Sequence, residues 1–132
     1  MYTNFVVETT KTTEVINITK EVLEAIANIH DGIMVCSIPH TTASLIICED
    51  DPELRKDFVK IAENWLSPLR PFEHTKNNNP NTEAHVLSSL GGTSLIISIT
   101  DGKPDLGKYQ NLLFWEMDGP KKRQVNIKVI EK

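Results

Sequence analysis

Polar and apolar residues alternate through Glu14-Val15-Ile16-Asn17-Ile18 and again through Lys122–Ile130, where Gln124, Asn126 and Lys128 interleave with Val125, Ile127 and Val129. A period of two marks half-buried strands. β-Branched or continuous apolar runs predict further strands at Phe5–Thr10, Ile33–Ile38, Thr42–Cys48, Ser94–Thr100 and Tyr109–Met117. The few residues between Thr10 and Glu14 suit a hairpin joining the first two strands. Helical spacing takes over at Val22, Leu23, Ile26 and Ile29, with Thr19 as cap and Asp31-Gly32 as stop. It returns at Leu54, Phe58, Ile61, Ala62 and Trp65, behind Asp51 as N-cap, Pro52 at the first helical position and Glu53 in the first turn. A shorter helix covers Thr82–Leu90, with Asn81 or Thr82 as cap and Gly91-Gly92 as stop. Asp101-Gly102 and Asp118-Gly119-Pro120 are turns. Strands outnumber helices and most connections are short, which predicts an α+β domain with a largely antiparallel, two-layered sheet.

A chain of 132 residues, 39% hydrophobic and 24% charged, fits a single domain spanning 1–132. No apolar run approaches the ~20 residues that span a bilayer, and the first residues carry no secretory pattern. The expected address is cytoplasmic, with no membrane partner. The formal charge of −4 leaves Lys121-Lys122-Arg123 as the one basic run, so a nucleic-acid partner is not expected. Cys36 and Cys48 fall in buried runs and read as inert core thiols.

Four histidines carry most of the candidate chemistry. His30 ends the first helix, where a cation suits the helix dipole. His40, His74 and His85 fall at element boundaries: between two strands, in the irregular stretch Ser67–Asn81, and in the first turns of the short helix. Three neutral imidazoles can hold a divalent metal, zinc first, and leave a fourth position open. The alternative is three unrelated histidines, each bonded locally. Thr41 and Thr42 are ordinary strand residues or hydroxyl contacts to an anion. Glu49 lies in an acidic turn. Glu116 follows Leu112-Leu113-Phe114-Trp115, where a carboxylate must find a partner or water. Gln110 is an even number of positions from Glu116 and so shares its strand face. Asp118 closes a turn, and Lys121 and Arg123 would supply positive charge to a phosphorylated small molecule.

These motifs stand in the order His40-Thr41-Thr42-Ala43, Glu49, Asp51-Pro52, His74, Ala84-His85, Asp101-Gly102-Lys103-Pro104-Asp105-Leu106-Gly107-Lys108-Tyr109-Gln110, and Glu116-Met117-Asp118-Gly119-Pro120-Lys121-Lys122-Arg123. In that order they resemble the YjbQ family from about His40 to Lys128. The chain departs from the family pattern at Cys48, at Asn77–Asn81 and at Tyr109. The resemblance implies a sandwich-like α+β fold, a homotrimer, and histidines gathered around a metal.

It also implies a thiamine-phosphate synthase-like transfer, joining a pyrimidine methyl pyrophosphate to a thiazole phosphate, where magnesium is a second choice of ion. The alternatives are a metal-dependent hydrolase or a non-catalytic metal- or anion-binding module. In the catalytic readings Glu116 transfers protons or orients its neighbours, with Glu49 and Asp118 as substitutes, and Gln110 positions the substrate. Leu112, Phe114 and Trp115 exceed what one sheet face needs, which predicts that part of that surface is buried in the trimer.

Overall fold

The computed structural model describes residues 1–74 and 81–132; the asparagine run 77–79 lies outside them. The elements are β1 (Tyr2–Glu8), β2 (Glu14–Asn17), α1 (Thr19–Ala25), β3 (Gly32–Ser37), β4 (Ala43–Cys48), α2 (Pro52–Asn64), a 3₁₀ turn (Ser67–Leu69), α3 (Thr82–Gly91), β5 (Ser94–Thr100), β6 (Lys103–Pro104), β7 (Asn111–Glu116) and β8 (Lys122–Glu131). They form two antiparallel sheets. One has the order β1-β8-β3-β5-β6 and the other β2-β7-β4. The fold is therefore the α+β, two-sheet sandwich with three helices that the sequence predicts.

The main core lies between the sheets. Met34, Cys36, Ile97, Val125 and Ile127 face Ala43, Leu45, Leu112 and Phe114 across it, and α1 closes one side with Val22 and Ile26. Burial in this core pushes the Cys36 thiol up to about 11, in keeping with an inert thiol. A second, smaller core lies on the other face of the three-stranded sheet. There Val15, Leu113, Trp115 and Met117 pack against Ala84 and Leu87 of α3 and Phe58 and Ala62 of α2. Phe58 meets Trp115 edge-on, with ring centroids 5.2 Å apart.

Expectations about strand pairing and about the apolar run of β7 change. β1 and β2 do not form a hairpin: β1 pairs with β8 and β2 with β7, so the residues between them carry the chain from one sheet to the other. The apolar surplus of β7 has a cause within one chain. As the central strand of a three-stranded sheet, β7 is covered on both faces, and Leu112 through Glu116 are all buried. A continuous apolar run is what such a strand requires, so these side chains give no support to assembly.

Local signals explain several boundaries. Asp51 accepts the Leu54 N–H at 2.9 Å and caps α2. Asn17, rather than Thr19, serves the start of α1, accepting the Thr19 N–H at 2.9 Å. The Asp101-Gly102 turn takes positive φ at both residues, 51° and 79°, the conformation that a two-residue hairpin demands. No helix among the described residues is long and apolar enough to cross a membrane.

Candidate functional site

The candidate residues separate into two groups at opposite ends of the three-stranded sheet. The pairing of Ala43 with Glu116 marks one end and that of Cys48 with Asn111 the other. Glu49, exposed, and Gln110 lie beyond the second end. Gln110 folds back on its own turn, accepting the Gly107 N–H at 2.7 Å. Glu116 is six positions further on, at the far end of β7, about 20 Å away for an extended chain. Gln110 precedes β7 and sits in a turn, so strand parity does not place it on the face of Glu116, and the two side chains do not meet. The remaining candidates cluster at the first end.

There the chain leaves β7, crosses between sheets at Asp118-Gly119-Pro120 and enters β8. Glu116, with no exposed surface, is paired with Arg123, which is 4% exposed. The Arg123 Nε donates to Glu116 Oε1 at 2.8 Å and its Nη2 donates to Oε2. Thr9 Oγ1 donates to Oε1 at 2.7 Å, and the backbone N–H groups of Met117 and Asp118 donate to Oε2 at 3.0 and 3.2 Å. Burial alone would raise this carboxyl's pKa; the hydrogen bonds from Arg123, Thr9 and Asp118 outweigh burial and hold it below the usual carboxylate range. Arg123 also donates to Thr42 Oγ1 at 2.9 Å, and the Thr42 carbonyl accepts the Met117 N–H. Thr42 is thus built into the corner rather than turned to solvent, whereas Thr41 is exposed.

The three histidines differ in which nitrogen is occupied. Gln124 donates its backbone N–H to His40 Nε2 at 2.8 Å. The β3–β8 ladder stops at Ser37 and Asn126, and the His40 ring takes the next donor on that side of β8. Burial first, then the Arg123 charge, lowers the His40 pKa from its ordinary value, and because Nε2 accepts the Gln124 N–H the ring proton is on Nδ1. His85, in the first turns of α3, donates Nδ1–H to the Thr41 carbonyl at 3.1 Å. His74 places Nε2 3.2 Å from Asn81 Oδ1. The rings of His74 and His85 stand 5.3 Å apart, nearly perpendicular at 87°.

The first residues of α3 hold this pair in place. Thr82 Oγ1 donates to the His74 carbonyl at 3.1 Å, and Glu83 holds Arg70 at 2.5 Å. Asn81 stands at the N-cap position but makes no side-chain cap; its Nδ2 donates instead to Asp118 Oδ2 at 3.2 Å. Lys121 Nζ donates to the same oxygen at 2.9 Å. Sequence reasoning missed this role of Asn81. The signal was ambiguous because asparagine is also among the best helix caps. Among the described residues, the one group of three potential metal ligands lies elsewhere, at the surface: His30, Asp31 and Asp101.

The arrangement defines an α+β sandwich protein with a pair of imidazoles at one sheet end. A family model described as "UPF0047 protein YjbQ-like" matches residues 3–132, and the chain belongs to that family. It is 39% identical to UPF0047 protein MJ1081 of Methanocaldococcus jannaschii, over 98% of this chain and 94% of that one. It is 35% identical to UPF0047 protein YugU of Bacillus subtilis, over 94% and 95%. The crystal structure of hypothetical protein APE1520 from Aeropyrum pernix K1 superposes with a TM-score of 0.92 at 30% identity, covering 100% of this chain and 99% of that one.

These comparisons overturn the thiamine-phosphate synthase-like reading. The relatives are proteins of unassigned function, and none of the names indicates that transfer. Among the described residues the corner's cations are already engaged rather than free to clamp a leaving group. Arg123 is buried against Glu116, and Lys121 is bonded to Asp118.

Proposed function

We propose that the His74–His85 pair binds a divalent transition-metal ion, zinc first. The observation that carries this is the partner each ring nitrogen faces. His85 Nδ1 faces a carbonyl, which only accepts, so that nitrogen carries a proton, and in the neutral ring the lone pair is on Nε2. His74 uses Nε2 toward Asn81, leaving Nδ1. Neither remaining nitrogen has a hydrogen-bond partner among the described residues. In their neutral form the two imidazoles each offer one unused lone pair, which suits a cation.

The spacing supports the same reading. Two imidazoles on one tetrahedral ion, each with a metal–nitrogen distance of about 2.0–2.1 Å, would have centroids about 5 Å apart; these are 5.3 Å apart. Metal-bound histidines commonly donate their other N–H to a carbonyl or carboxylate, as both rings here donate to the protein. Imidazole donors favour zinc, cobalt or nickel over magnesium, which prefers oxygen. His40 does not share this state, because its Nε2 lone pair is occupied by Gln124.

Glu116 then acts in this reading by orienting its neighbours: it holds Arg123, which holds Thr42, next to the Thr41 carbonyl that fixes His85. The test is titration of metal-free protein with Zn²⁺ by calorimetry, with Mg²⁺ as comparison. Saturable Zn²⁺ binding that is lost in the His74→Ala, His85→Ala double variant is expected. Equal binding by that variant would overturn the reading.

A further inference from the structure

Asn81 is a helix N-cap residue whose side chain caps nothing. Its amide lies between Asp118 and His74, and the chemistry of those neighbours fixes its orientation. An ionised carboxylate can only accept hydrogen bonds, and Asp118 is ion-paired with Lys121. The amide NH₂ must therefore face Asp118, at 3.2 Å, and the amide oxygen must face His74, also at 3.2 Å. An amide oxygen likewise only accepts, so His74 Nε2 must carry the proton. In the neutral ring this puts the lone pair on Nδ1, so the chain of contacts runs from Lys121 through Asp118 and Asn81 to an imidazole lone pair.

We infer that Asn81 and Asp118 are positioning residues which set the Nε2–H tautomer of His74 and so make Nδ1 its ligating nitrogen. This rests on the metal-binding reading for its purpose, though not for its geometry. Without the relay an exposed imidazole in water has no fixed tautomer, and only part of the population would offer Nδ1. With it, His74 and His85 offer opposite ring nitrogens, Nδ1 from one and Nε2 from the other. The helix forgoes the side-chain cap that an asparagine at this position ordinarily supplies. Thr82 and Glu83 hold the segment that carries His74 at its carbonyl and at Arg70, so the first three residues at the start of α3 all serve its placement.

The experiment reads the tautomers directly in the metal-free protein, by long-range ¹⁵N–¹H correlation NMR at pH about 8, where an unperturbed imidazole is neutral. In the wild type His74 should show the Nε2–H pattern and His85 the Nδ1–H pattern. Asp118→Asn lets the Asn81 amide turn over, so His74 should become a mixture while His85 stays as it was. Asn81→Ala should do the same. Circular dichroism of each variant checks that α3 is intact, and Asp118→Asn, being isosteric, serves should Asn81→Ala fold poorly. In the same variants Zn²⁺ affinity should fall about ten- to a hundred-fold, the usual effect of removing a partner behind a metal ligand.

A wild-type His74 with its proton on Nδ1, or one whose tautomer ignores both substitutions, would overturn the inference even if zinc binds. If the tautomers respond as stated and wild-type protein binds no metal, the relay stands and the metal-binding reading falls.

Discussion

Glu116, the last residue of β7, and Arg123, the second residue of β8, form a buried ion pair that ties the three-stranded sheet to the five-stranded one. Every oxygen of the carboxylate is engaged, and the guanidinium reaches on to Thr42. Removing one partner leaves an uncompensated buried charge. Arg123→Leu should therefore destabilise the fold by about 3–5 kcal/mol, read as a lower urea midpoint. A loss within about 0.5 kcal/mol, the range of ordinary surface substitutions, would show that the pair contributes nothing.

The same pair sets a pH dependence. Because the carboxyl is held below its ordinary pKa in the fold, its contribution is present above the unfolded carboxylate range, near 4.3. It is lost as pH falls through the depressed folded value. Urea midpoints of the wild type should drop as acid is added below pH ~4. Glu116→Gln should be less stable at neutral pH and show a shallower fall. Parallel curves for the two proteins would contradict this assignment.

At the crossing between sheets, Gly119 has no room for a side chain. A Cβ there would lie 2.7 Å from Thr9 Oγ1 and 2.9 Å from Glu116 Cγ, and closer still to the Lys11 carbonyl oxygen. Thr9 Oγ1 and Glu116 are fixed by their hydrogen bonds to each other, to the Lys121 N–H and to Arg123. Gly119→Ala should cost about 1–3 kcal/mol, the range for overpacking, measured by thermal or urea unfolding. Wild-type stability in this variant would mean the corner can yield.

Leu113 tests the two-sided burial of β7. It is 1% exposed in the smaller core, so Leu113→Ala should lower stability by about 2–5 kcal/mol and leave the sedimentation of the folded protein unchanged. A folded variant that sediments as a smaller species would return β7 to the role of a subunit contact.

Much of the fold was legible because its signals are local. The alternation along Lys122–Ile130, the Asp51-Pro52 helix start and the Asp101-Gly102 turn depend on neighbours a few residues apart, and each appears where the pattern puts it. The separation of β1 from β2 was not legible: each pairs with a strand about a hundred residues along the chain, and nothing nearby encodes the choice. At the site, parity assumed that the strand began before Gln110, but β7 begins at Asn111 and Gln110 folds into the preceding turn at the opposite end from Glu116. The differing states of the histidines follow from Gln124, Thr41 and Asn81, tertiary partners that spacing does not reveal.

The account turns on which imidazoles hold the ion. Equilibrium dialysis against Zn²⁺, with metal counted per chain, addresses it using wild type, His40→Ala and the His74→Ala, His85→Ala double variant. Wild type should retain zinc, His40→Ala should retain it at similar occupancy after its fold is checked, and the double variant should retain none at this site. Zinc held equally by the double variant, or lost as fully from a folded His40→Ala as from the double variant, would contradict a site built on His74 and His85.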